Sequence, residues 1–199
     1  MSEPSRRSAG PAQGAPREQG DDAVDRSLVA RWLGGDERAA TLLVERHAPA
    51  LARFAASLTS SIDRGQIDEL VQDTFVRAFQ SIAEFRGESS LRTWLFTIER
   101  RLLLDRRRAE RRRPDADEID ERDAATAYTA LDSLVAGETE GRIRRALDRL
   151  SPLQRNVFML RVTEGLSYKE IAGVVGTTEG AARVHYHNAM RAIKELVDE

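Results

Sequence analysis

The chain's 199 residues carry 31 Lys and Arg against 33 Asp and Glu and contain no cysteine, which excludes disulfides, thiolate metal sites and a cysteine nucleophile together. The net charge of −2 conceals a strong segregation of sign along the chain, and that distribution is the informative quantity. No run of about 18 apolar residues could span a bilayer, and the opening stretch lacks the apolar middle of a signal peptide, so a soluble, cytoplasmic protein without membrane insertion of its own is expected.

Residues 1–22 are rich in Ser, Pro, Gly, Ala and Gln, a composition that buries too little surface to offset ordering entropy, and they are expected to form a disordered tail. From Val24 onward the apolar residues recur at helical spacing and strand-type alternation is absent. The expected fold is all-α, with two small helical domains joined by a flexible acidic linker.

The first domain spans 23–113. "VDRSLVARWL" predicts a short helix ended by Gly34 and Gly35, and the segment after it predicts a helix with a break at Pro49. In "IDELVQDTFVRAFQSIAEF", Ile67, Leu70, Val71, Thr74, Ala78, Ile82 and Phe85 share one face, leaving Glu69, Gln72, Asp73, Val76 and Gln80 on the other. "RGESS" reads as a loop. The next helix buries Leu91, Trp94, Leu95, Ile98 and Leu102, while Phe96 projects outward, fit for either packing or DNA contact. Its continuation "ERRLLLDRRRAERRR" holds eight arginines against Glu99, Asp105 and Glu110, a surplus of positive charge suited to phosphate. Arg100, Arg107 and Arg111 are expected on its outer face, and Asp105 can pair with Arg101 or Arg108.

Residues 114–137 reverse the sign, with Asp115, Asp117, Glu118, Asp120, Glu121, Asp123 and Asp132 against Arg122 alone. This segment reads as a linker: a self-repelling spacer, or a mask over the arginine helix. The second domain, 138–199, opens with a helix to Leu150. Ser151, Pro152 and Gln154 then form a helix start with a capping box, and Ser167 with Glu170 repeats the device. Gly176 permits a turn and Thr178 caps the last helix, completing a helix-turn-helix pattern. That helix turns Ala182, Tyr186, Ala189, Ile193 and Leu196 inward. Gly180, Arg183, Val184, His187, Asn188 and Arg191 face outward with the chemistry of major-groove reading. His185 and His187 are about 200° apart on the helix and cannot share a metal ion; no metal or cofactor is expected. Nor does the chain offer a glycine-rich phosphate loop or a nucleophile beside a base, so catalysis is not expected.

"DELVQDTFVRAFQSIAEFRGESSLRTWLFTIERRLLLDRRR" resembles conserved region 2, and "LDRLSPLQRNVFMLRVTEGLSYKEIAGVVGTTEGAARVHYHNAMRAIKEL" region 4, of bacterial sigma factors of the extracytoplasmic-function (ECF) type in the sigma-70 family. The resemblance implies a subunit that directs promoter-specific transcription initiation. Its implied partners are core RNA polymerase, through the coiled coil of the largest subunit and the flap, then promoter DNA and an anti-sigma factor. It nominates Asp68, Glu69, Gln72, Asp73 and Val76 for the coiled coil. Arg86, Gly87, Glu88, Ser89 and Ser90 would capture a flipped base of the minus-ten element, and Arg100, Arg101, Arg107 and Arg108 would hold the strand beside it. Thr178, Gly180, Arg183, Val184, His187, Asn188 and Arg191 would read the minus-thirty-five element. Two departures bear on base preference: Arg101 stands where many relatives have Asn, and Glu179 puts negative charge where a helix start nears phosphate. A stand-alone regulator of the LuxR type is the alternative, since residues 150–196 resemble its DNA-binding domain too.

Overall fold

The computed structural model describes residues 17–58, 64–112 and 146–197. The expected linker, 114–137, lies outside them, as do residues 1–16. Seven α-helices can be followed: α1 Arg17–Leu33, α2 Glu37–Leu58, α3 Arg64–Ser81, α4 Leu91–Arg111, α5 Pro152–Val162, α6 Tyr168–Val175 and α7 Glu179–Val197. No strand occurs among the described residues.

Two boundaries differ from expectation. α1 begins at Arg17, inside the stretch assigned by composition to a disordered tail. Partners hold its acidic turn: Asp21 and Asp25 ion-pair with Arg46 of α2 at 2.5 and 2.9 Å, and Asp25 lies 3.1 Å from His47 Nε2. α2 runs without a break through Pro49. A mid-helix proline removes one hydrogen bond and costs about 3 kcal/mol. Burial of Leu43, Ala50, Leu51, Phe54 and Leu58 on the same helix offsets that loss.

α3 packs on α2 and α4 with the face the sequence predicts. Leu70, Val71, Ala78 and Ile82 are buried, as is Phe75, and the buried hydroxyl of Thr74 donates to Leu70 O at 2.8 Å. A short 3-10 turn, Ile82–Glu84, leads to the loop. Gly87 takes φ +70° there, a backbone state that glycine enters without the cost of a Cβ. Ser90 then caps α4 by accepting from Thr93 N at 3.1 Å. Trp94 is half-buried against Phe85, ring centroids 5.2 Å apart.

The second domain follows its capping signals. Both capping boxes close, Ser151 with Gln154 and Ser167 with Glu170, Pro152 occupies the first turn of α5, and Gly176 ends α6 in the left-handed region. Leu147, Leu150 and Ala189 form a small core behind α7 with Phe158 and Ile193.

The two domains are packed on one another, α5 against α2 and α6 against α4. One apolar cluster runs from Leu43, Phe54 and Phe96 to Leu160, Ile171 and Val174. Phe96, expected to project outward, is fully buried and meets Phe54 edge-on at 5.0 Å. It is a packing residue here. Glu99, one turn further along α4, is likewise fully buried, and neither carboxylate oxygen has a hydrogen-bond partner. Burial pushes its carboxyl well above the ordinary 4.5.

The folded chain therefore keeps a proton on Glu99 in a pH range where the unfolded chain has released it. The stability contributed by that proton is fully present below pH 4.5 and is lost as pH rises toward the folded value. Replacing Glu99 with Met, which has no acid and no unmet acceptor, should raise stability at neutral pH by about 1–3 kcal/mol. Urea unfolding at several pH values checks this: the gap between Glu99→Met and wild type should widen from acidic to neutral pH, and a constant gap would contradict the assignment.

Candidate polymerase and nucleic-acid interfaces

On α3 the outward residues form one surface. Asp68, Glu69, Gln72 and Val76 are exposed and Asp73 is half-exposed. Val76 leaves 49% of its surface open, an apolar spot at the C-terminal end of this run of acid and amide groups. Arg106 of α4, which the sequence did not single out, reaches the acids of this surface, with Nη2 2.5 Å from Asp73 Oδ2 and 3.5 Å from Glu69 Oε1. It fixes the side chain of Asp73 before any partner arrives.

The loop residues Arg86, Gly87, Glu88 and Ser89 are exposed, and Ser90 is half-buried as the cap of α4. Arg101 and Arg108 are exposed too, with Arg108 on Asp105 at 3.1 Å. Arg100 and Arg107 are not on the open face where helical spacing put them. Both are half-buried. Arg100 Nη1 lies 3.5 Å from the point a Cβ would occupy on Gly176, because the turn of the second domain covers this side of α4; desolvation lowers its pKa from the usual value. Arg107 Nη2 donates to Leu58 O at 3.3 Å, at the carbonyl end of α2 where a cation is favoured. For Arg111 only the helical backbone is described.

The last helix presents its outward set as expected. Thr178, Gly180, Arg183, Val184, His187 and Arg191 are exposed and Asn188 half-buried, while Ala182 and Ala189 are fully buried. Thr178 Oγ1 accepts from Ala181 N at 3.1 Å. Arg183 is held in two ways: it bonds Glu179 Oε1 at 3.0 Å and lies over the ring of Tyr168 at 4.8 Å. Arg161 covers the same ring at 4.9 Å. Glu179 thus restrains the very side chain suited to a guanine edge.

Among the described residues there is no cluster of His, Asp and Glu able to hold a metal ion, and no helix is long and apolar enough to cross a membrane. Spacing within the sequence could not reveal Arg53, Arg92, Glu164 and Glu170, which join the two domains. Arg53 and Glu164 are 111 residues apart.

Residues 43–113 match the family model of Sigma-70 region 2, and residues 140–193 that of Sigma-70 region 4. The ECF RNA polymerase sigma-E factor of Haemophilus influenzae is 30% identical over 186 residues, covering 89% of this chain and 97% of that protein. The sigma factor NccH of Alcaligenes xylosoxydans is 29% identical over 181 residues, covering 89% and 96%. Among solved structures, the sigma factor RpoE of Bartonella quintana in complex with the anti-sigma factor NepR aligns with TM-score 0.65 at 27% identity over 79% of this chain and 96% of that one. CnrH in complex with the cytosolic domain of CnrY aligns with TM-score 0.64 at 28% identity over 88% and 97%. The chain belongs to the sigma-70 family of RNA polymerase sigma factors, in its ECF group. It directs transcription initiation and has no catalytic activity of its own, and the match of 43–113 to region 2 sets aside the LuxR-type regulator.

Freeing Arg183 should strengthen DNA binding by the second domain. Glu179→Gln removes one negative charge and the ion pair, and is expected to tighten the full chain's binding to duplex DNA several-fold at low salt, with the gain shrinking as salt rises. Fluorescence anisotropy at two salt concentrations measures it, and equal affinity of variant and wild type would show that Glu179 does not hold Arg183 back.

Proposed function

We propose that the outward face of α3, with Asp68, Glu69, Gln72, Asp73 and Val76, docks on the coiled coil of the largest subunit of core RNA polymerase. The observation that carries the reading is the exposed Val76 at the end of a run of acid and amide groups, on a helix whose opposite face is core. An apolar anchor with a charged rim is the usual layout of a binding hot spot. The loop Arg86–Ser90 captures a base extruded from the minus-ten element. Such extrusion costs a few kcal/mol of stacking and pairing, which the exposed Arg101 and Arg108 help offset through phosphate contacts, joined by Arg100 and Arg107 once their face is uncovered. α7 reads the minus-thirty-five element in the major groove with Arg183, Val184, His187, Asn188 and Arg191, while Thr178 and Gly180 bring the helix start against the backbone.

The expected partners are core polymerase, through coiled coil and flap, promoter DNA, and an anti-sigma factor; the structural relatives RpoE and CnrH, seen with NepR and with CnrY, support the last. The expected compartment is the cytoplasm, where polymerase and promoter are.

Transcription by core polymerase from a pool of promoter-length fragments tests the whole reading: specific transcripts should need both proteins, and a site selected by this chain alone would overturn it. Val76→Lys tests the docking face. It places a charge on an apolar contact without disturbing the core, so the fold should be unchanged by circular dichroism. Affinity for core polymerase should fall tenfold or more, about 1.4 kcal/mol, and unchanged affinity in a competition assay would move the docking site elsewhere.

A further inference from the structure

Glu164 lies in the turn after α5, its side chain 1% exposed, between two guanidiniums of the first domain. Arg53 meets it with Nε on Oε1 at 3.0 Å and Nη2 on Oε2 at 3.3 Å, the fork by which arginine holds an oxyanion. Arg92, from the first turn of α4, reaches Oε2 as well. Its Nε is buried with no acceptor, so the carboxylate does not use up the donors that converge there. Burial, and after it the neighbouring charge of Arg53, lowers the pKa of Arg92, as expected where two cations crowd around one anion.

Of the other acids lining this cleft, Asp22 has its carboxyl pushed up from the ordinary value by burial and then by Asp25, and the remaining three are engaged elsewhere. Asp21 and Asp25 are paired with Arg46, and Glu170 closes the capping box of α6 while accepting from Thr93 Oγ1 at 3.0 Å. The cleft, about 300 Å³, is also lined by Ser90. That serine ends the loop assigned to base capture, and Arg92 follows it by one turn's fraction. An anion seated on Arg53 and Arg92 would therefore sit beside the captured base.

We propose that Arg53 and Arg92 form a binding site for a backbone phosphate of the opened promoter strand, and that Glu164 occupies this site in the free protein. The proposal rests on the sigma-factor reading of α4 and its loop. A phosphodiester and a carboxylate carry the same charge and offer the same pair of oxygens, so one replaces the other without a net electrostatic penalty. Because Glu164 belongs to the second domain, seating the phosphate requires that domain to leave. Its departure also uncovers Arg100, which the turn at Gly176 shields. Closure of the two domains and capture of the minus-ten strand are mutually exclusive states of one site.

The native chain has no cysteine, so Glu45→Cys and Lys194→Cys, at exposed positions of α2 and α7, accept a pair of dyes whose energy transfer reports closure of the full chain. Glu164→Gln should lower transfer and tighten binding of a labelled random-sequence single-stranded DNA about tenfold. Adding Arg53→Gln, at a side chain still 34% exposed, should leave the dyes apart but reverse most of the gain. It should also make the slope of log affinity against log salt shallower by about 0.7, the value of one phosphate contact on single-stranded DNA; Arg92→Gln should do the same. If Glu164→Gln changes neither transfer nor affinity, Glu164 does not block the site. If the double variants bind like Glu164→Gln alone, the arginines are only latch partners and the phosphate site is wrong. Loss of promoter-specific transcription by wild-type chain with core polymerase would instead strike at the sigma-factor reading, and it is scored separately from the dyes.

Discussion

A carboxylate almost wholly removed from water must be given cations, and the contact of Glu164 with Arg53 and Arg92 is the constraint from which the arrangement of the domains follows. Desolvating each ion costs several kcal/mol, recovered only with close geometry and full hydrogen bonding. The turn 163–167 is accordingly fixed against both α2 and α4. Thr163 Oγ1 contacts Glu164 Oε1 at 3.1 Å, and Arg161 Nη1 donates to Leu166 O at 2.7 Å, so the turn is braced from its own side as well. Deleting one partner leaves a buried charge, which makes such a contact selective for one docking geometry.

Around that contact the apolar surfaces merge. α4 meets α3 along one side and α6 along another, and α2 carries Phe54 into Phe96 while supporting α5. This explains why α4, for all its arginines, is so apolar through its first half. Phe96, edge-on to Phe54 of α2, and Leu103 are out of water. Arg101 and Arg108 are exposed on the other side of the helix, Arg108 paired with Asp105 at 3.1 Å.

Much of this was legible in the sequence because it is local. The helical phase of α3 follows from Ile67, Leu70, Val71, Thr74 and Ala78, and its outward set follows by subtraction. The two capping boxes and Gly176 define the ends of α5 and α6 through residues within one turn of each other. The same holds for α7, whose inward alanines leave the outward set unambiguous. What escaped was non-local. A helical wheel assigns one buried stripe and so places Phe96, Arg100 and Arg107 outward, whereas α4 is buried on two sides. Glu164 reads as an ordinary acid in a turn until Arg53, 111 residues away, is brought beside it. Pro49 and the acidic start of α1 depart from local expectation for the same reason: burial and the ion pairs with Arg46 override local propensity.

In the free chain the two domains share one core. Residue-resolved hydrogen exchange along a urea titration tests it most directly, by comparing the loss of protection in α3 with that in α7. A shared core requires both helices to lose protection in one transition with a common midpoint and slope. Two transitions, with α7 opening while α3 stays protected, would mean that the domains fold and stand independently, and that the contact of Glu164 with Arg53 and Arg92 does not hold them together.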